Sequence, residues 1–153
     1  MAQCPELNDD FSVIGLVIIQ ESREKNVLDI KNDGDLRRAQ VIISEFLEWN
    51  APSHALALEV AINEAMNNGF DSGGRVCVKA RRVGGKLIIR VKDDGPGFNT
   101  KKVNVQLQAD RFEEEFEKLL ETDGGRGIFL MRLFCDKVIY NAKGNEVLLM
   151  KKT

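Results

Sequence analysis

Cysteine, histidine and basic surplus are all scarce in this sequence, and each shortage argues against a class of function. Only 3 cysteines occur in 153 residues, Cys4, Cys77 and Cys135. They are odd in number, far apart and form no CxxC pair, so no metal or redox motif is indicated and a reduced, intracellular setting is expected. His54 is the sole histidine, and at a predicted helix start it suits a surface or capping role better than catalysis. Lys and Arg number 22 against 24 Asp and Glu, a net charge of −2. Nucleic-acid binders carry a basic excess, so no direct DNA or RNA contact is expected. Long hydrophobic runs are missing too. The run from Phe11 to Ile19 is too short for a bilayer, and acidic rather than basic residues precede it, which argues against a signal peptide. It reads as an extra strand or helix in an N-terminal extension, residues 1–26, and the expected location is cytoplasmic, with no membrane partner. Repeats, low-complexity tracts and linkers are absent as well.

What is present describes an ordinary globular domain, with 43% hydrophobic and 30% charged residues. A strand is predicted from Val27 to Lys31, then a turn whose last residue, Asp35, caps a helix from Leu36 to Trp49. After the break at Asn50-Ala51-Pro52-Ser53 a second helix runs from His54 to Asn68. Two β-rich runs, Arg75 to Val83 and Lys86 to Lys92, are joined by Gly84-Gly85, a hairpin signal. The stretch from Asp93 to Asp123 is polar and glycine-flanked, with Phe112, Phe116, Leu119 and Leu120 on one amphipathic face. It has the makings of a mobile lid from about Asn99 to Thr122. Glycines 124, 125 and 127 precede a third helix, Ile128 to Phe134. A last hairpin, Lys137 to Asn141 and Glu146 to Lys151, turns at Lys143-Gly144-Asn145. Strands and helices do not alternate regularly, which excludes a doubly wound sheet. The expected fold is an α/β two-layer sandwich with a mostly antiparallel mixed sheet and helices on one face.

Three stretches carry chemistry. In the second helix Glu64 and Asn68 are four apart and share a face. A carboxylate and an amide oxygen there can hold a hydrated Mg²⁺, which needs few protein ligands. Glu59, Asn63 and Asn67 form a second polar row at the same spacing, so the spacing alone leaves two candidates, and a plain solvated face is a third. Asp93, at a strand end, can accept a hydrogen bond from the amine of adenine, while guanine would present a carbonyl oxygen. Gly95 and Gly97 after it allow a sharp turn close to a ligand, although acidic Gly-Pro turns are also common without one. Gly125, Arg126 and Gly127 precede a helix, where exposed N–H groups cradle phosphate and Arg126 adds a cation; a simple hinge would look similar.

In this order the three stretches resemble the GHKL, or Bergerat-fold, ATPases, a superfamily that includes histidine kinases and type II topoisomerases. The resemblance covers residues 27–153 and is nearest to the anti-sigma-factor serine kinases. Their N box matches Glu64-Ala65-Met66-Asn67-Asn68, the G1 box Asp93-Asp94-Gly95-Pro96-Gly97, and the G2 box Gly125-Arg126-Gly127. The match implies Glu64 as general base, Asn68 as Mg²⁺ ligand, and Asp93, Gly95, Gly97, Gly125, Arg126 and Gly127 as ATP-binding residues. The subgroup usually continues after the N-box Asn to a His-Gly, where this chain reads Gly69-Phe70-Asp71-Ser72-Gly73. Some members place an arginine two residues before the Gly-x-Gly, where this chain has Asp123.

The resemblance implies an ATP- and Mg²⁺-dependent serine kinase that acts as an anti-sigma factor. Its expected partners are a STAS-type anti-sigma-factor antagonist, a sigma factor and a second copy of itself. Two alternatives stay open, a non-catalytic partner-switching module that binds nucleotide, and an ATPase domain from a sensor histidine kinase.

Overall fold

The computed structural model describes residues 28–108 and 125–153. The Phe11–Ile19 run, the Phe112–Leu120 face, Asp123 and Gly124 lie outside them. In chain order the elements are β1 (Leu28–Ile30), α1 (Asp33–Asn50), a one-turn 3-10 helix (Pro52–His54), α2 (Ala55–Gly73), β2 (Val76–Val83), β3 (Lys86–Asp93), α3 (Lys101–Gln108), α4 (Gly125–Phe134), β4 (Lys137–Tyr140) and β5 (Glu146–Lys152). The sheet has 5 strands in the order β1-β2-β3-β5-β4. Every pairing among the described strands is antiparallel, so the expected mixed character is not seen there.

Periodicity explains the layers. On β3, Leu87, Ile89 and Val91 are buried and alternate with partly exposed Ile88 and Arg90, the period-2 pattern of a sheet with one core face. On α1, Ala39, Ile43, Phe46 and Leu47 are buried; on α2, Leu58, Ala61, Ile62, Ala65, Met66 and Gly69. These helical stripes meet the Leu87–Val91 row in one core cluster. No helix among the described residues is long and apolar enough to cross a membrane.

Three element boundaries differ from expectation. The cap of α1 is Asn32, not Asp35: the Asn32 side chain accepts the Asp35 N–H at 2.9 Å, and the Asp35 carboxylate accepts the Lys31 N–H at 3.1 Å. Asp35, three positions inside, thus donates its N–H to the cap and accepts that of the residue before the cap, a variant of the capping box. Helix α2 does not stop at Asn68 but runs on to Gly73, ending where Gly74 turns left-handed and its N–H bonds the Phe70 carbonyl at 2.7 Å. The third helix is described from Gly125, so Gly125 and Gly127 sit inside its first described turn rather than ahead of it.

The stretch expected to be a lid is partly helix. α3 docks on the sheet edge, where the Asn104 amide accepts the Tyr140 N–H and donates to the Tyr140 carbonyl, both at 3.0 Å. Thr100 Oγ1 donates to the Asn141 carbonyl and Arg132 Nε to the Leu107 carbonyl, each at 3.0 Å. Asn104 satisfies part of the otherwise unpaired edge of β4 and Arg132 ties α3 to α4, so residues 101–108 are anchored; residues 109–122 of that stretch are outside the described residues.

Candidate functional site

The core row of β3 continues beyond the apolar residues. Counting by twos, Leu87, Ile89 and Val91 lead to Asp93, so the strand's alternation turns a carboxylate toward the helices. Room for it comes from α2: a methyl at Gly69 would lie 3.1 Å from Val76 and 3.3 Å from the Asp93 Cβ. Gly69 thus lets the helix lie close over the strand end. The Gly95 N–H donates to Asp93 Oδ1 at 2.7 Å, an Asx-type turn that fixes the carboxylate. Burial lifts the Asp93 carboxyl above its ordinary range. The Gly95 hydrogen bond offsets part of that rise, Asp94 adds to it and Lys143 opposes it. A carboxylate held this way is a poised hydrogen-bond acceptor.

Asp93 borders a cavity of about 480 Å³. One wall is α2, through Ala65, Asn68, Gly69, Asp71 and Ser72; another is the turn after β3, through Pro96, Gly97 and Phe98. Ile128 of α4 contributes as well. The far wall comes from the end of the chain: Tyr140, Gly144, Asn145, Glu146 and Val147. Sequence reasoning missed that wall and took Lys143-Gly144-Asn145 only as a hairpin turn.

That turn is built tightly. The Asn141 Oδ1 accepts three backbone N–H groups, from Gly144 at 2.8 Å, Asn145 at 3.1 Å and Glu146 at 3.2 Å. Buried Asn145 then clamps the strand end: its side-chain amide donates to the Asp93 carbonyl at 3.1 Å, and its own carbonyl accepts the Asp93 N–H at 2.9 Å. Phe98 and Tyr140 stack edge to face with centroids 5.0 Å apart, giving the cavity an aromatic side. Burial pushes the Tyr140 hydroxyl well up, and the Asp93 charge adds to it.

The two polar rows of α2 are separated by what packs against them. Glu59 accepts from Ser44 Oγ of α1 at 3.2 Å, and neither Glu59, Asn63 nor Asn67 lines the cavity. Glu64 and Asn68 instead face the first turn of α4. A methyl at Gly127 would stand 2.7 Å from Glu64 Oε2 and 2.9 Å from Asn68 Nδ2, so the bare glycine lets both side-chain ends lie close against α4.

Of the residues singled out from sequence, Asn68, Asp93 and Gly97 therefore line the cavity. Gly95 is buried beneath Asp93, and Gly125 and Gly127 are buried in α4. Glu64 lies beside Asn68 but off the wall, and Arg126 is exposed and also off it. His54 is elsewhere, in a small depression with Trp49 and Arg82 at the α1–α2 corner.

Residues 31–151, most of the chain, match a protein family described as the histidine kinase-like ATPase domain. A comparison with curated proteins finds no match.

Proposed function

This chain belongs to the histidine kinase-like ATPase domains, and on that premise we propose that it is an ATP-dependent protein serine kinase working as an anti-sigma factor. It phosphorylates a STAS-type antagonist, sequesters a sigma factor and acts as a homodimer. The observation that carries the reading is the meeting of Glu64, Asn68 and Gly127 beside a cavity that Asp93 borders.

Asp93 accepts the adenine amine, held in register by Gly95 and Asn145. Phe98 and Tyr140 supply the apolar surface a purine needs. Asn68, on the wall one turn from Glu64, would hold Mg²⁺ through its amide oxygen; with phosphate oxygens and water this would be a sufficient donor set for that ion. When bound, Mg²⁺ neutralises phosphate charge. The N-terminal turn of α4, with Gly127 tight against α2, offers its N–H groups to the phosphates. Glu64, next to Asn68 and off the wall, takes the proton of a serine hydroxyl arriving at the α2–α4 seam. An internal histidine acceptor finds no support, because His54 lies outside the cavity.

Two measurements test this. Incubation with labelled ATP and a candidate STAS-type antagonist is expected to yield phosphoserine on the antagonist. Transfer to nothing, with ATP and partner still bound, would instead favour a partner-switching module. That rival draws on one observation: no lysine or arginine is among the described residues lining the cavity. In the second, Asp93→Asn is expected to weaken ATP binding by about 10- to 100-fold, the worth of a charge-assisted hydrogen bond, and to erase the preference for ATP over GTP. Calorimetry showing an indifferent Asp93→Asn overturns the adenine site.

A further inference from the structure

Asp71 is a cavity residue to which the reading above gives no task. It follows Asn68 by three positions and Ser72 follows Asn68 by four, so the three share one face of α2, and all three line the cavity. Asn68 is half-buried whereas Asp71 is exposed. Its carboxylate therefore stands at the mouth, on the same side as the proposed metal-binding amide.

The charge along this wall has one sign. Asp71, Asp93 and Glu146 line the cavity, and Arg90 neutralises Glu146, which leaves two carboxylates. Lys143 and Arg126, which neighbour lining residues in the chain, are exposed and off the wall. Asp71 also falls in the last turn of α2, where the helix carbonyls add partial negative charge. A bare triphosphate meets repulsion here from every unpaired charged group among the described residues of the wall.

We propose that Asp71 makes entry conditional on the cation: it admits ATP as the divalent-metal complex and turns away metal-free ATP. The inference rests on the ATP-binding reading. A divalent ion removes two charges from the triphosphate and gives the Asp71 carboxylate a positive centre to face, directly or through a retained water. A carboxylate at this position acts by discrimination between two forms of one ligand, not by adding affinity for both.

The test is calorimetry on the full chain, wild type and Asp71→Asn, with ATP in Mg²⁺, ATP in chelator at matched ionic strength, and adenosine. Wild type is expected to bind the Mg²⁺ complex at least about tenfold more tightly than metal-free ATP, the effect of one nearby unit charge. Asp71→Asn is expected to narrow that ratio by about tenfold, the effect of removing one nearby unit charge, mainly by strengthening the metal-free arm. Adenosine affinity is expected to stay the same. An unchanged ratio in Asp71→Asn overturns the proposal while leaving ATP binding standing. Equal weakening of all three ligands also overturns it, because that pattern belongs to a carboxylate on the ribose hydroxyls. If neither protein binds ATP in any form, the nucleotide reading fails and the proposal with it.

Discussion

Glu64→Gln is expected to cut phosphoryl transfer to the antagonist by about 10²–10⁴-fold, the contribution of a positioned general base, while ATP affinity and folding change little. The geometry supports this separation. Glu64 touches the α2–α4 seam beside Gly127 but does not line the cavity, so a ligand in the cavity makes no direct contact with it. Glutamine keeps the shape that fits against Gly127. Asn68→Ala is the contrasting change: Asn68 is on the wall, and its loss is expected to weaken Mg²⁺-dependent binding together with transfer. Single-turnover transfer with labelled ATP, alongside calorimetry, reads both quantities. Wild-type transfer rates in Glu64→Gln would remove Glu64 from the mechanism.

Gly97→Ala is expected to be the most damaging small change to the cavity itself. Gly97 has φ 73°, and a methyl there would come within 1.9 Å of the Lys143 carbonyl oxygen and 2.8 Å of its carbon. Both are backbone atoms, which cannot swing aside as a side chain would. The same carbonyl accepts the Phe98 N–H at 3.0 Å, so relief would mean prising the β4–β5 turn away from the turn after β3. Left-handed backbone and overpacking each cost about 1–3 kcal/mol. A loss of roughly 2–6 kcal/mol follows, or about 5–20 °C in Tm for a domain of this size. Nucleotide binding is expected to fall with it, because the displaced turn carries Asn145, the clamp on Asp93. Gly84→Ala is the control. Its φ is 50° but nothing lies within 4 Å of the added methyl, so it pays only the backbone cost. Thermal unfolding in which Gly97→Ala melts no earlier than Gly84→Ala would show that the contact between the two turns does not hold the wall.

The sequence by itself determined the elements and their order apart from α3, which reads locally as a polar lid, because the patterns that specify the others are local. Alternation marked β3 and its partner β2, helical spacing marked α1 and α2, and Gly84-Gly85 marked the hairpin between the strands. The same local reading placed Asp93 at a strand end and Glu64 and Asn68 on one helix face. It failed where a choice depends on a neighbour distant in the chain. Two polar rows on α2 are equivalent by spacing; Ser44 of α1 against Glu59, and Gly127 of α4 against Glu64 and Asn68, distinguish them. The end of α2 was placed five residues early because Gly69 reads locally as a helix breaker. In the fold it is buried against Val76 and Asp93, where close approach outweighs its poor helix propensity. The far wall of the cavity was invisible for the same reason. Asn145 lies 52 positions from Asp93, and only the antiparallel pairing of β3 with β5, which sets Lys92 opposite Glu146, brings that turn to the strand end. Asp71 belongs to the same class: its type and spacing are local facts, but its place at the mouth of a cavity with no cation among its described lining residues is a property of three walls assembled from distant parts of the chain.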